Sequence, residues 1–143
     1  MGVAVQRARR RWPEHRFAVR VPGELPPVHA EGALLAQVLG NLLDNAARLS
    51  PPGAPVTVQA GRTRTGVFMA VRDQGPGLPA GEPAALFQAA PAHGAGAEGA
   101  GLGLSICRLI VQAHGGSLAA RRLDAGAEFM VELPAAPPVE APA

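Results

Sequence analysis

Lysine and tyrosine are absent from this chain, and cysteine and tryptophan occur once each. Without lysine there can be no phosphate-binding loop of the G-x-x-x-x-G-K type. With Cys107 alone there is no disulfide framework, and a reducing compartment fits best. Aromatic residues make up 3% of the chain while nearly half of it is apolar, so the core must be built from Ala, Val and Leu. All 13 basic residues are arginine; with the abundant Ala, Gly and Pro, this points to a GC-rich coding sequence rather than to function. The net charge of +2 is too small to argue for nucleic acid. No apolar run approaches the roughly 20 residues of a membrane span, and "MGVAVQRARRRW" lacks the apolar core of a signal peptide. A soluble cytoplasmic domain, with no membrane contact by this segment, is the expectation. Asparagine is scarce too: Asn41 and Asn45 are the only two, four residues apart in "NLLDNA".

At 143 residues the chain suits one domain with a real core. From Glu31 to Leu49, Leu34, Leu35, Val38, Leu39, Leu42, Leu43 and Ala46 recur at the spacing of one buried helical stripe. "SPPG" at 50–53 ends that helix. "PVTVQA" and "GVFMAVRD" alternate like two strands joined near Thr65 and Gly66. "RFAVRV" places Phe17, Val19 and Val21 on one face, and "EFMVEL" does the same with Phe129, Val131 and Leu133. "GLGLSICRLIVQAHGG" reads as a helix opened by glycines and closed by Gly115 and Gly116, and "SLAARR" is a weaker strand. The first dozen residues are either a short helix or the end of a linker. The pattern predicts an α+β domain: a two-layer sandwich with a mixed sheet and helices on one face. Its expected span is 16–134, preceded by a linker or helix end at 1–15 and followed by a disordered Pro/Ala-rich tail at 135–143.

Three stretches carry chemistry. On a helix, Asn41 and Asn45 lie nearly above one another with Arg48 one turn on, at the edge of the leucine stripe. An amide oxygen suits Mg²⁺ and a guanidinium suits phosphate; the plainer reading is a pair of boundary asparagines bonding locally. In "RDQGPGLP", Asp73 ends a strand and is followed by Gly75 and Gly77. A carboxylate there can accept from an exocyclic amine, and glycines let backbone approach a flat ring; an ordinary turn would look the same. In "GAGLGLSI", Gly99, Gly101 and Gly103 precede a helix whose free N–H groups suit phosphates, although a flexible loop is also compatible. "GAGAEG" at 94–99 spells a dinucleotide fingerprint but follows no strand, so it is rejected.

In order, these stretches resemble the asparagine box and the two glycine boxes of the ATP-binding catalytic domain of sensor histidine kinases. That domain belongs to the Bergerat-fold superfamily shared with DNA gyrase B, HSP90 and MutL. "ALF" at 85–87 stands where the family has its phenylalanine box. The likeness runs from about Val19 to Pro134 and is greatest to the Kdp-type, potassium-responsive kinase. It implies ATP and Mg²⁺ as ligands, with Asn45 holding the metal and Arg48 contacting phosphate. Asn41 stands where ATP-hydrolysing relatives carry a glutamate. Asp73 reads adenine, with Gly75 and Gly77 forming the turn beside it. Phe87, Gly99, Gly101, Leu102, Gly103 and Leu104 belong to the nucleotide site and its lid. The implied partners are a histidine-bearing dimerisation domain and a response regulator.

Two departures stand out. Leu49 occupies a position where the family usually has an aromatic residue, and the lid "QAAPAHGAGAEG" is poor in cations: no arginine lies between Arg72 and Arg108, leaving His93. None of His15, His29, His93 or His114 has the family's phosphoacceptor context, so transfer would be to a histidine on a separate or missing domain. "RARRRW" then reads as the linker from missing helices. The second reading, from a different class, is a non-catalytic nucleotide-sensing module with a degenerate lid.

Overall fold

The computed structural model describes residues 2–21, 32–75 and 98–135. Among the described residues, eight elements follow in order: α1 (Gly2–Arg11), β1 (Arg16–Arg20), α2 (Gly32–Leu49), β2 (Pro55–Arg62), β3 (Gly66–Arg72), α3 (Glu98–Ala113), β4 (Ser117–Arg122) and β5 (Ala127–Pro134). The strands form one sheet in the order β1-β2-β3-β5-β4. Only β1 and β2 run parallel, joined through α2; the other three pairs are antiparallel. Helices and sheet share a single apolar core, giving the expected two-layer α+β architecture. Among the described residues no helix is long and apolar enough to cross a membrane.

The core has the composition that the scarcity of aromatics dictates. The α2 stripe of Val38, Leu39, Leu42, Leu43 and Ala46 is buried to 1% exposure or less. It shares one cluster with Val56 and Val58 of β2, Val71 of β3 and Phe129 and Val131 of β5, all at 2% exposure or less. Burying a side chain of this size contributes about 1.5–3 kcal/mol, and close packing on both layers fixes where the ends of α2 lie.

Helix α1 joins this core through Ala4, Val5 and Ala8, whose three- and four-residue spacing sets one small apolar face among arginines. Its far end is tied to α2 by polar groups: Trp12 Nε1 donates to Asp44 Oδ1 at 2.9 Å, and Arg11 pairs with Asp44 Oδ2 at 3.4 Å. Helix α3 stops as its glycines predict. Gly115 has φ +79°, its N–H donates to Gln112 O, and the Gly116 N–H donates to Val111 O, a Schellman cap.

One expectation changes and another is refined. Val19 shares the face of Phe17 by alternation but is 42% exposed, β1 being an edge strand. Helix α3 begins at Glu98, so Gly99, Gly101 and Gly103 lie inside its first turns rather than before it. A carboxylate-bearing residue at the first position and the alternating alanine and leucine favour the early start.

Candidate functional site

Three tertiary links tie the sequence motifs into the fold. The first joins α2 to α3: the Asn41 amide donates to Cys107 Sγ at 3.6 Å. Burial pushes the Cys107 thiol up from its ordinary pKa, and the Asn41 hydrogen bond opposes that shift. The second joins the end of α2 to the turn after β3. Ser50, buried just beyond the helix, accepts from the Gln74 N–H through its hydroxyl at 3.1 Å. Beside it, Gly75 lies so close to Leu49 that a Cβ there would stand 2.4 Å from the Leu49 carbonyl oxygen. The glycine after Asp73 is therefore required by packing against α2 as well as by any ligand.

The third link holds Asp73 itself. Its N–H donates to Ala127 O at 3.0 Å, extending the β3–β5 ladder by one rung. Its Oδ1 accepts from the N–H of Gly75 at 3.0 Å and of Ala127 at 3.2 Å. The residue is 2% exposed. Burial pushes the carboxyl pKa up from its ordinary 3.8, and the two backbone N–H bonds pull it back in part.

Asn45 is buried as well, and its Oδ1 accepts from Arg48 at 3.0 Å, the one-turn pair that helical spacing predicts. Arg48 is itself exposed. Among the described residues, three buried side-chain polar atoms have no hydrogen-bond partner: His15 Nδ1, Asn45 Nδ2 and Asp73 Oδ2. Two of the three belong to residues that the sequence singles out. A buried orphan of this kind costs about 1–3 kcal/mol, and a ligand that supplies the partner recovers that cost. The Asp73 Oδ2 suits a donor such as an exocyclic amine. The Asn45 carboxamide, with one face already turned to a guanidinium, suits a ligand rich in negative oxygen. The residues present therefore fit an adenine nucleotide: the unpaired Asn45 Nδ2 can donate to a phosphate oxygen, and Asp73 Oδ2 can accept from the base.

The remaining predicted residues divide clearly. Gly99, Gly101, Leu102 and Gly103 lie in the first turns of α3, and Leu104 is buried at 5% exposure in the core. Gly77 and Phe87 lie outside the described residues, as does His93. His114 bonds locally to the Ile110 carbonyl at 2.7 Å, one turn back on α3. Sequence reasoning missed Ser50, Gly126 and Glu128. Ser50 looked like part of a helix stop. Gly126 carried no pattern of its own, yet it has φ +93° and packs against Asp73. Glu128 gave no distinguishing signal, since β5 carries a second acidic residue, Glu132, on the same outer face.

Comparison with known proteins agrees with this geometry. Residues 30–137 match the family described as histidine kinase-, DNA gyrase B-, and HSP90-like ATPase. The adaptive-response sensory kinase SasA of Synechococcus elongatus is 38% identical over 125 residues, 85% of this chain and 32% of the relative. The sensor protein KdpD of Clostridium acetobutylicum is 34% identical over 136 residues, 92% of this chain and 15% of the relative. KdpD is thus one of several similar relatives, and the Kdp type is not set apart from them. The structure of the mycobacterial sensor histidine kinase MprB superposes with a TM-score of 0.79 at 32% identity, covering 93% of this chain and 90% of that one. The chain spans a third or less of the length of these two curated relatives. It belongs to the histidine kinase-, DNA gyrase B- and HSP90-like ATPase family, and within that family to the catalytic domains of sensor histidine kinases.

Proposed function

We propose that this chain is the ATP·Mg²⁺-binding catalytic half of a two-component sensor kinase, serving transfer of the γ-phosphoryl group to a histidine on a separate dimerisation domain. A response regulator would take the phosphoryl group from that histidine. The observation that carries the reading is Asp73: a buried carboxylate with one oxygen saturated by backbone N–H groups and the other free for a donor. That asymmetry fixes the carboxylate and leaves a single acceptor for an adenine amino group.

When bound, ATP supplies the phosphoryl group and Mg²⁺ supplies positive charge across the phosphates. Asn45 is the residue assigned to hold the metal, through Oδ1 once Arg48 turns from it to a phosphate. Arg48, exposed at the end of α2, is free to make that turn. Asn41 is a carboxamide and cannot take a proton from water, which favours transfer over hydrolysis. Gly75 and Gly77 are assigned to the turn beside the ring, Gly101 and Gly103 to the base of the lid, and Gly99, Leu102, Leu104 and Phe87 to nucleotide binding.

The second reading, a nucleotide sensor without transfer activity, draws only on the arginine-poor stretch between Arg72 and Arg108. The family relationship gives it no support. The test is radiolabel transfer from γ-labelled ATP to a supplied histidine dimerisation domain. Labelling that disappears in Asn45→Ala supports the kinase. Tight nucleotide binding with no labelling of any supplied domain would favour the sensor.

A further inference from the structure

Glu128 is a charged residue in an improbable place. It lies on β5 with 2% exposure, between two exposed arginines that are its direct cross-strand partners, Arg72 of β3 and Arg121 of β4. Each carboxylate oxygen takes one guanidinium: Arg72 Nε donates to Oε2, and Arg121 pairs with Oε1 at 3.1 Å. A buried carboxylate with one partner would be costly; two opposed guanidiniums, with their stems laid along the sheet, make it tolerable. The result is a clamp across three adjacent strands.

The position of the clamp is what matters. Asp73 directly follows Arg72, and Ala127 directly precedes Glu128, so the next rung of the ladder is the Asp73–Ala127 pair. That rung carries the Ala127 N–H that holds Asp73 Oδ1. Among the described residues the β3–β5 ladder ends there: the next N–H, that of Gln74, donates to the Ser50 hydroxyl instead. Terminal rungs fray unless something ties the strands together. Alternation puts Glu128 on the opposite face of the sheet from Asp73, so the clamp supports the rung from behind without entering the site.

We infer that Glu128 is a positioning residue for base recognition: with Arg72 and Arg121 it locks the end of β3 against β5 and so fixes the Asp73 carboxylate toward the base. This rests on the reading of Asp73 as the acceptor for an adenine amine. The lock acts through the last rung, so its loss releases the Asp73 carboxylate while the sheet elsewhere stays paired. It thereby sets selectivity between a purine bearing a 6-amino group and one bearing a 6-oxo group.

The experiment compares affinities for ATP and inosine triphosphate, with amide hydrogen exchange of the chain in the absence of nucleotide. Four proteins are needed: wild type, Glu128→Gln, Asp73→Asn and the control Glu132→Gln, which is exposed on the same face of β5 and pairs with Phe68 and Ser117. The expected result is that Glu128→Gln lowers the preference for ATP at least fivefold. It should also speed exchange at Asp73 and Ala127 at least tenfold while leaving Val131 unchanged, and Glu132→Gln should match wild type. If Glu128→Gln does not fold, Arg121→Gln, which removes one exposed half of the clamp, carries the same expectation. Should Asp73→Asn abolish the preference while the clamp variant keeps it, the inference is overturned and the base reading stands. Should Asp73→Asn keep the preference, the base reading falls and the inference falls with it.

Discussion

Gly126 lies so close to Asp73 that a Cβ built on it would stand 2.0 Å from the Asp73 carbonyl oxygen and 2.9 Å from Oδ1. The glycine also holds φ +93°, a backbone region that other residues enter at a cost of about 1–3 kcal/mol. The β4–β5 turn can close on the carboxylate only because position 126 has no side chain. Gly126→Ala should therefore destabilise the domain by about 2–4 kcal/mol, strain and clash together. Urea denaturation of the two proteins measures it; an unchanged midpoint would mean that the turn does not pack as described.

Asp73 also makes stability and function pull in opposite directions. Its carboxyl pKa is raised by burial, so the native state holds the proton more tightly than the unfolded chain does. Stability linked to this group is highest below its ordinary pKa of 3.8 and falls as pH rises through the higher native value. Asp73→Asn keeps an oxygen for the two backbone N–H groups and removes the buried charge. Without nucleotide, its melting temperature should exceed wild type by about 2–5 °C at pH 7, with the gap closing toward pH 4. The same variant should lose its preference for adenine. A gap that widened on acidification would have the wrong sign.

The bond from Trp12 to Asp44 predicts a separation of roles. Trp12→Phe removes a hydrogen bond to a charged group and should cost about 1–2 kcal/mol in denaturation, because α1 is then held to α2 by Arg11 and the small apolar face alone. Nucleotide affinity should not change, since Phe keeps the apolar ring and no side-chain hydrogen bond among the described residues joins Trp12 or Asp44 to Asn45, Arg48 or Asp73. Loss of affinity at constant stability would show that α1 takes part in the site.

Cys107 is fully buried with its thiol pushed up in pKa, so it should be inert to thiol reagents in the folded protein. Its reaction with an aromatic disulfide reagent should track global unfolding and accelerate with urea in proportion to the unfolded fraction. Rapid labelling in native buffer would mean that the α2–α3 contact opens locally.

How much of this was legible in the sequence depended on periodicity. The α2 stripe is strong enough that the placement of Asn41, Asn45 and Arg48 at its edge followed from helical geometry, and the Asn45–Arg48 bond is the outcome. The Gly115 and Gly116 stop of α3 was equally readable, because left-handed backbone at a helix end selects glycine. Helix α1 was less so: Ala4, Val5 and Ala8 are a thin apolar signal among arginines. Ser50, Gly126 and Glu128 were not readable as parts of the site. Each acts through a residue that the chain order sets 24, 53 or 56 positions away: Gln74, Asp73 and Arg72. Local pattern cannot report contacts of that range.

The central claim is that the end of α2 and the Asp73 turn together hold ATP with its metal, and calorimetric titration with a non-hydrolysable ATP analogue tests it most directly. Wild type should bind in the micromolar range, with affinity falling at least about tenfold, or 1.4 kcal/mol, when Mg²⁺ is removed. Asn45→Ala should lose that Mg²⁺ dependence. Equal affinity with and without Mg²⁺ in both proteins, or no binding to wild type at all, would contradict the account.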